Sequence, residues 1–277
     1  MNQAVSSVTK SMPVGTNAPG RASIPERTLR TDPWWRAPLI TFLLLSGWVV
    51  YAVIRTASQR AYFASPEHYL SPFDSPCVTS SCPDGARDFG TWFGHFPPFF
   101  PLALITLPFL LGFRLTCYYY RKAYYRAFWA SPPACAVAEP HGKYTGETRV
   151  PLIAQNLHRY FWVAAGVISV INTWDVIQAF RPEGHDFGFG LGTIVMLINV
   201  TLLWAYTVSC HSCRHIIGGR LRNFSAHPLR YRAWGLVSKL NVKHMELAWT
   251  TLATLLITDA YIGLVASGAF NDPRFIN

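Results

Sequence analysis

Five stretches of this chain run for 18 or more residues with no charged side chain or with only one. A charge-poor apolar run of that length is long enough to cross a hydrocarbon core about 30 Å thick as a helix. The first is Ala37 to Ile54. The second lies between Asp88 and Arg114 and contains Pro97, Pro98, Pro101 and Pro108. The third is Tyr160 to Phe180, interrupted by Asp175. The fourth lies between Asp186 and Arg214, and the fifth is Leu247 to Asn271, interrupted by Asp259. Charged residues make up 14% of the chain, against roughly 25% in a soluble domain. These features exclude a soluble globular fold. The expected class is all-α: a polytopic membrane protein with five transmembrane helices.

The expected organisation is a flexible cytoplasmic tail at 1–33, a five-helix bundle at 34–271 and an outer tail at 272–277. Within the bundle, helix I is placed at 37–55, II at 91–116, III at 159–180, IV at 188–213 and V at 244–270. Prolines in helix II are tolerated where neighbouring helices re-satisfy the freed backbone groups. The tail has no apolar h-region of the secretory kind. No internal repeat or glycine-rich phosphate loop is visible.

Charge sets the orientation. The N-terminal tail, the II–III loop and the IV–V loop carry five, seven and seven Lys plus Arg, 19 in all, while the other side holds Arg55, Arg60, Arg87, Arg181 and Arg274. Positive residues mark the cytoplasmic side, so the N-terminus is expected inside and the C-terminus outside. The net +10 then follows from orientation and requires no nucleic-acid partner, although the basic IV–V loop could grip acidic lipid. Cys77 and Cys82 fall in the outer I–II loop, an oxidising compartment where a disulfide is expected. Cys117, Cys135, Cys210 and Cys213 fall on the reducing side.

Counting along each run gives the depth of the remaining polar groups. Cys117 lies just past the inner end of helix II, His158 just before III, Cys210 and Cys213 at the end of IV, and His244 just ahead of V. Four successive helices thus present a metal-ligand side chain near the cytoplasmic interface. Two Cys and two His suit zinc or a Rieske-type [2Fe-2S] centre. The expected ligands are Cys117, His158, Cys210 and His244. Cys213, one helical turn from Cys210, is an alternative thiolate. His211 points elsewhere and His215 lies further out.

With these residues, the chain resembles the membrane anchor of succinate dehydrogenase and fumarate reductase, most closely that of the mycobacterial and actinobacterial class. The resemblance implies a docked flavoprotein and a docked iron–sulfur subunit as partners. It also implies electron transfer to menaquinone or ubiquinone in the bacterial plasma membrane, a place in the tricarboxylic acid cycle and respiratory chain, and an oligomer of the whole complex. Many relatives hold b-type haem between histidines inside the helices. This chain departs from that pattern, because helix I has no His and His95 of helix II lies near the outer surface. The Cys/His set matches the Rieske-type centre of this anchor class. Two alternatives stay open: haem b held by His158 and His244, and a non-redox protein with structural zinc.

Quinone needs an apolar slot, an aromatic wall and a few donors; Trp35, Arg36, Tyr119 and Trp249 are the candidates. Asp175 and Asp259 are carboxylates inside membrane helices, which are costly and functional by default. At 1.5 Å per residue they lie roughly 22–26 Å outward of the histidines. They could transfer protons, or hydrogen-bond Asn172, Thr173 or Asn199. A reporter fused at the N-terminus should be cytoplasmic and one at Asn277 outside; both on one side would remove a crossing.

Overall fold

The computed structural model describes residues 31–276 except 88, 136, 138, 139, 141–147 and 151, so all but the end of the tail expected at 1–33 lies outside the described residues. The elements in chain order are α1 (Arg36–Ser58), β1 (Phe63–Ala64), β2 (Tyr69–Leu70), a 3-10 turn (Leu102–Ile105), α2 (Leu107–Thr116) and α3 (Tyr118–Trp129). A second 3-10 turn (Leu152–Leu157), α4 (His158–Ala179), β3 (Phe189–Gly190), α5 (Leu191–Val208) and α6 (His211–Gly218) follow. The last elements are α7 (Pro228–Asn241), α8 (His244–Ala266) and β4 (Arg274–Ile276).

Two compact units are distinguished: Met1–Leu45 with Lys122–Gly146, and Ser46–Arg121 with Glu147–Asn277. In the first, the rings of Phe42 and Phe128 lie 4.8 Å apart. The second holds the bundle, in which α5 packs between α4 and α8, and α2 packs on α4.

Among the described residues four helices are long and apolar enough to cross a membrane: α1, the 3-10 turn leading into α4, α5 and α8. The apolar side chains of α1, Leu43, Leu44, Val53 and Ile54 among them, are exposed. In water that surface would be an aggregation hazard; in a bilayer it faces its own solvent.

Helix II differs from expectation. Residues 91–101 are not helical, and only Leu107–Thr116 forms an α-helix. Pro97, Pro98 and Pro101 each remove a backbone donor and push the preceding residue out of the helical region. Pro108 is harmless because it occupies the first turn of α2, where its missing N–H is not needed. Helix IV is also shorter than expected: α5 stops at Val208, and α6 restarts at His211.

The loop between α1 and α2 folds back into the bundle. Residues 69–75 are buried throughout, and the Cys77–Cys82 disulfide closes the segment beyond them as expected. Tyr69 lies in a core with Val176, Ala179, Met196, Val200 and Ile262, and Phe73 packs on Ala52 and Leu255. Tyr69 Oη donates to Asp272 at 2.8 Å, and the Gly192 N–H donates to the same carboxylate at 2.8 Å. The segment expected as an outer tail is tied down: Asp272 is buried and β4 pairs with β3.

Asp175 and Asp259 are both buried, and α1 and the loop after it supply donors to them. Asp259 accepts from Tyr51 Oη, from Arg55 Nε at 2.7 Å, from Arg55 Nη2 at 3.0 Å and from Ser71 Oγ at 2.5 Å. Asp175 accepts from Ser75 Oγ. Thr173 bonds the Ser169 carbonyl and Trp204.

Burial pushes the carboxyl of the loop residue Asp74 up to about 7, with Asp259 raising it further and Arg55 opposing. This folded-state value lies above the ordinary 3.8. Its stabilising contribution is therefore complete in acid and lost as pH rises through 7. The thermal midpoint of the purified complex should fall across that window, and Asp74→Asn should flatten the dependence. A Cβ added at Gly192 would lie 2.2 Å from the Tyr69 ring. Gly192→Ala should therefore destabilise by about 1–3 kcal/mol, read in the same melt.

Candidate functional site

At one end of the bundle, four chain breaks meet. Cys117 is the single extended residue between α2 and α3 (φ −65°, ψ 131°), and Cys210 is the extended N-cap of α6 (φ −63°, ψ 145°). His158 and His244 are the first residues of α4 and α8. A cysteine in extended backbone at a helix junction is not committed to a helix surface, so its sulfur can turn inward. Cys117, Cys210 and His244 are almost fully buried.

The four side chains form two Cys–His pairs. The Cys117 sulfur lies 3.9 Å from His244 Nε2, and the Cys210 sulfur 3.3 Å from His158 Nε2. The other ring nitrogen of each histidine is held by a hydroxyl: His158 Nδ1 by Thr116 Oγ1 at 2.8 Å and His244 Nδ1 by Ser209 Oγ at 2.7 Å. Both Nε2 atoms are thus aimed at thiols, and a partner on the far nitrogen is what fixes a ligand histidine's orientation and tautomer. Cys213 is buried but has no hydrogen bond to either histidine among the described residues. The geometry brings in Cys210 and leaves Cys213 aside.

Aromatic rings wall the site. His158 stacks on Phe113 at 5.2 Å, Phe113 meets Tyr206 at 5.2 Å, and Tyr206 stacks on His244 at 4.9 Å. Tyr119 lies 5.7 Å from His244, and Trp249 lies 5.7 Å from Tyr120. These two quinone candidates therefore line or neighbour the site. Trp35 and Arg36 belong to the first unit, where Trp35 is half exposed and Arg36 opens α1. His211 sits 6.3 Å from His244, ring centre to ring centre.

Arg114, counted in the sequence as a loop charge, is buried in the last turn of α2. Its guanidinium lies 5.5 Å and 5.4 Å from the ring centres of Tyr120 and Tyr206, and it donates to Tyr120 Oη. Burial pushes the Cys210 thiol up to about 11, although the Ser212 N–H, donating to the sulfur at 3.4 Å, favours the thiolate. Burial raises Cys213 as well.

Thr116, Ser209, Phe113 and Tyr206 were not singled out from the sequence. Thr116 stands next to Cys117 and Ser209 next to Cys210, so adjacency to a candidate ligand was the available signal. Among the described residues, no group of three or more His, Cys, Asp or Glu side chains is placed to hold one metal ion.

Beside the site a cavity of ≈ 490 Å³ is lined by Arg159, His211, Ser212, Arg214, His215 and Trp234, among others. Arg214 stacks 4.7 Å over Trp234. Arg230 donates to the carbonyls of Ile217 and Gly219 at the end of α6, as a basic side chain does at a helix C-terminus.

The family model described as actinobacterial succinate dehydrogenase subunit SdhC matches residues 36–268. A chain of the solved Mycobacterium smegmatis Sdh1 complex in the apo form is 62% identical, with a TM-score of 0.87 over 94% of this chain and 98% of that one. No curated protein matches. The chain belongs to the actinobacterial succinate dehydrogenase SdhC family, the membrane-anchor subunit of that enzyme.

Proposed function

We propose that this anchor carries electrons from a docked iron–sulfur subunit to membrane quinone through a [2Fe-2S] group held by Cys117, His158, Cys210 and His244. The flavoprotein and iron–sulfur subunits are its partners, as in an Sdh complex, and the plasma membrane is its location. Succinate oxidation itself belongs to the flavoprotein.

The observation that carries this reading is the two-pair geometry. A single zinc needs its donors around one point, which no three of the described His, Cys, Asp and Glu side chains provide; a Rieske-type group takes two thiolates on one iron and two imidazoles on the other, and these four side chains supply that donor count. Neutral imidazole ligands, each with its far nitrogen held by a hydroxyl, fit such a group. When bound, the group would supply one-electron transfer at a potential raised by histidine ligation. The chain's own residues do the rest. Thr116 and Ser209 hold the imidazoles in register. Phe113 and Tyr206 exclude water, and the buried Arg114 places a positive charge beside the site, which favours added negative charge. The basic cavity beside His211 offers a surface for acidic groups of the iron–sulfur subunit. Tyr119 and Trp249 supply aromatic walls for a quinone ring.

Five crossings are retained in this reading. The second is made by the turn Leu102–Ile105 with α2, and the N-terminus is cytoplasmic. Haem b between His158 and His244 is disfavoured, because each Nε2 already faces a sulfur.

The His158→Ala, His244→Ala double substitution should abolish quinone reduction and remove a Rieske-like paramagnetic signal. Succinate oxidation with a soluble artificial acceptor should survive. Full quinone activity without both histidines would sink the reading. Thr116→Val and Ser209→Ala should each weaken retention of the group about 10–100-fold, measured as iron lost to a chelator.

A further inference from the structure

The end of the bundle opposite the Cys/His site holds a second polar assembly that electron transfer does not use. Asp175, near the C-terminal end of α4, borders two small cavities of ≈ 10 Å³ each. The inner one is lined by Asn172, Asn199 and Thr258 as well as Asp175. The outer one is lined by His68, Gln178 and the loop residues Gly85 and Phe89. Each has room for about one water molecule.

The inner cavity carries an unmet demand. Asn172 Oδ1, Asn199 Oδ1 and Thr258 Oγ1 are buried and have no hydrogen-bond partner among the described residues, and their residues are 7%, 3% and 1% exposed. Leaving one such atom unsatisfied costs about 1–3 kcal/mol, and three around a water-sized space is the environment in which buried water is retained. In a bilayer no outside solvent is available to relieve that cost.

We propose that Asp175 is a proton-binding residue between two single-water chambers, and that the chambers with Asp175 form a proton path from the outer surface into the middle of the bundle. Water in the outer chamber reaches Asp175 past His68 and Gln178. Water in the inner chamber is held by Asn172, Asn199 and Thr258. Asp175 accepts a hydrogen bond from Ser75 Oγ, so its carboxyl is oriented by the buried loop. A proton taken up at Asp175 converts carboxylate to carboxylic acid, and its release restores the carboxylate, with water as carrier on either side.

Among the titratable groups of the elements packed around it, His68 lines the outer chamber; the others are grouped about Asp259. His68 and Asp74 come from the outer loop, Tyr51 and Arg55 from α1, and Asp259 from α8. In the inner chamber α5 contributes Met196, Asn199 and Val200, none of which titrates. Asp259 is held by Arg55, Tyr51 and Ser71 and lines neither chamber, whereas Asp175 lines both. This inference is independent of the metal group, and its test does not read quinone activity.

The test is infrared difference spectroscopy of the purified complex during pH titration, repeated in deuterated water. A protonated-carboxyl band that titrates and shifts on deuteration is expected, and Asp175→Asn should remove it while Asp74→Asn removes only its own. Thr258→Val and Asn199→Leu keep Asp175 and the packing but take away water ligands. Each should slow deuterium exchange of the Asp175 band at least about fivefold, the effect of losing one hydrogen bond. If Asp175→Asn fails to assemble, these two variants carry the test alone. An unchanged spectrum in Asp175→Asn, or unchanged exchange in both cavity variants, overturns the proposal. A band that responds to sodium at fixed pH also overturns it, since the inner chamber would then hold a cation.

Discussion

Asp259 accepts four hydrogen bonds, and its three donor residues come from two parts of the chain. Tyr51 and Arg55 belong to α1 and Ser71 to the loop that follows it, while Asp259 itself stands on α8. A carboxylate buried without a cation is several kcal/mol uphill even after relaxation, and a bilayer offers no water in exchange. The bundle must therefore bring Arg55 to it, and doing so fixes where α1 and the loop sit against α8. Once Ser71 is fixed, Phe73 is set on Ala52 and Leu255, and Ser75 is delivered to Asp175. The burial of the outer loop is a consequence of that one ion pair and its hydroxyl partners.

The opposite end is governed by backbone junctions rather than by charge. Cys117 and Cys210 sit where one helix stops and the next starts, and both have extended backbone there. The histidines open the two helices that come up to meet them. Each imidazole is clamped by a hydroxyl one residue before a cysteine, Thr116 before Cys117 and Ser209 before Cys210. The clamp is crossed: Thr116 holds the histidine that faces Cys210, and Ser209 holds the one that faces Cys117. α2, α4, α5 and α8 are tied together by that crossing as well as by apolar packing. The two ends of the bundle thus hold different chemistry, soft donors at one and carboxylates with hydroxyls at the other.

Membership of the succinate dehydrogenase anchor family places both ends in one membrane subunit of such a complex. The soft-donor end lies beside a basic cavity suited to a docked partner, and the carboxylate end borders the small polar chambers around Asp175. Arg230 shows how such a surface can mislead when read one residue at a time. It sits in the first turn of α7 in a basic stretch, and its guanidinium caps α6.

The charge-free runs determined the helical class, because a stretch of that length without charge can only be lipid-embedded or buried. The distribution of Cys and His along those runs determined the candidate ligand set, because rise per residue converts position into depth. Sequence could not see that Pro97, Pro98 and Pro101 empty the outer half of helix II of helical structure, since proline in a membrane helix is tolerated or not according to what surrounds it. Sequence put Cys210 first and kept Cys213 as an alternative, but it could not show that Cys210 is the one whose sulfur faces a histidine. Both lie on one face of an unbroken helix, and only the break at Ser209–Cys210 separates them. Asp175 and Asp259 were recognisable as costly, but their partners come from α1 and from a loop about 100 or more residues away, and no local pattern encodes such a contact. Composition and spacing fixed which groups had to be satisfied inside the bundle; tertiary packing decided which atoms satisfy them, because a buried polar group takes the donor that the fold brings within 3 Å.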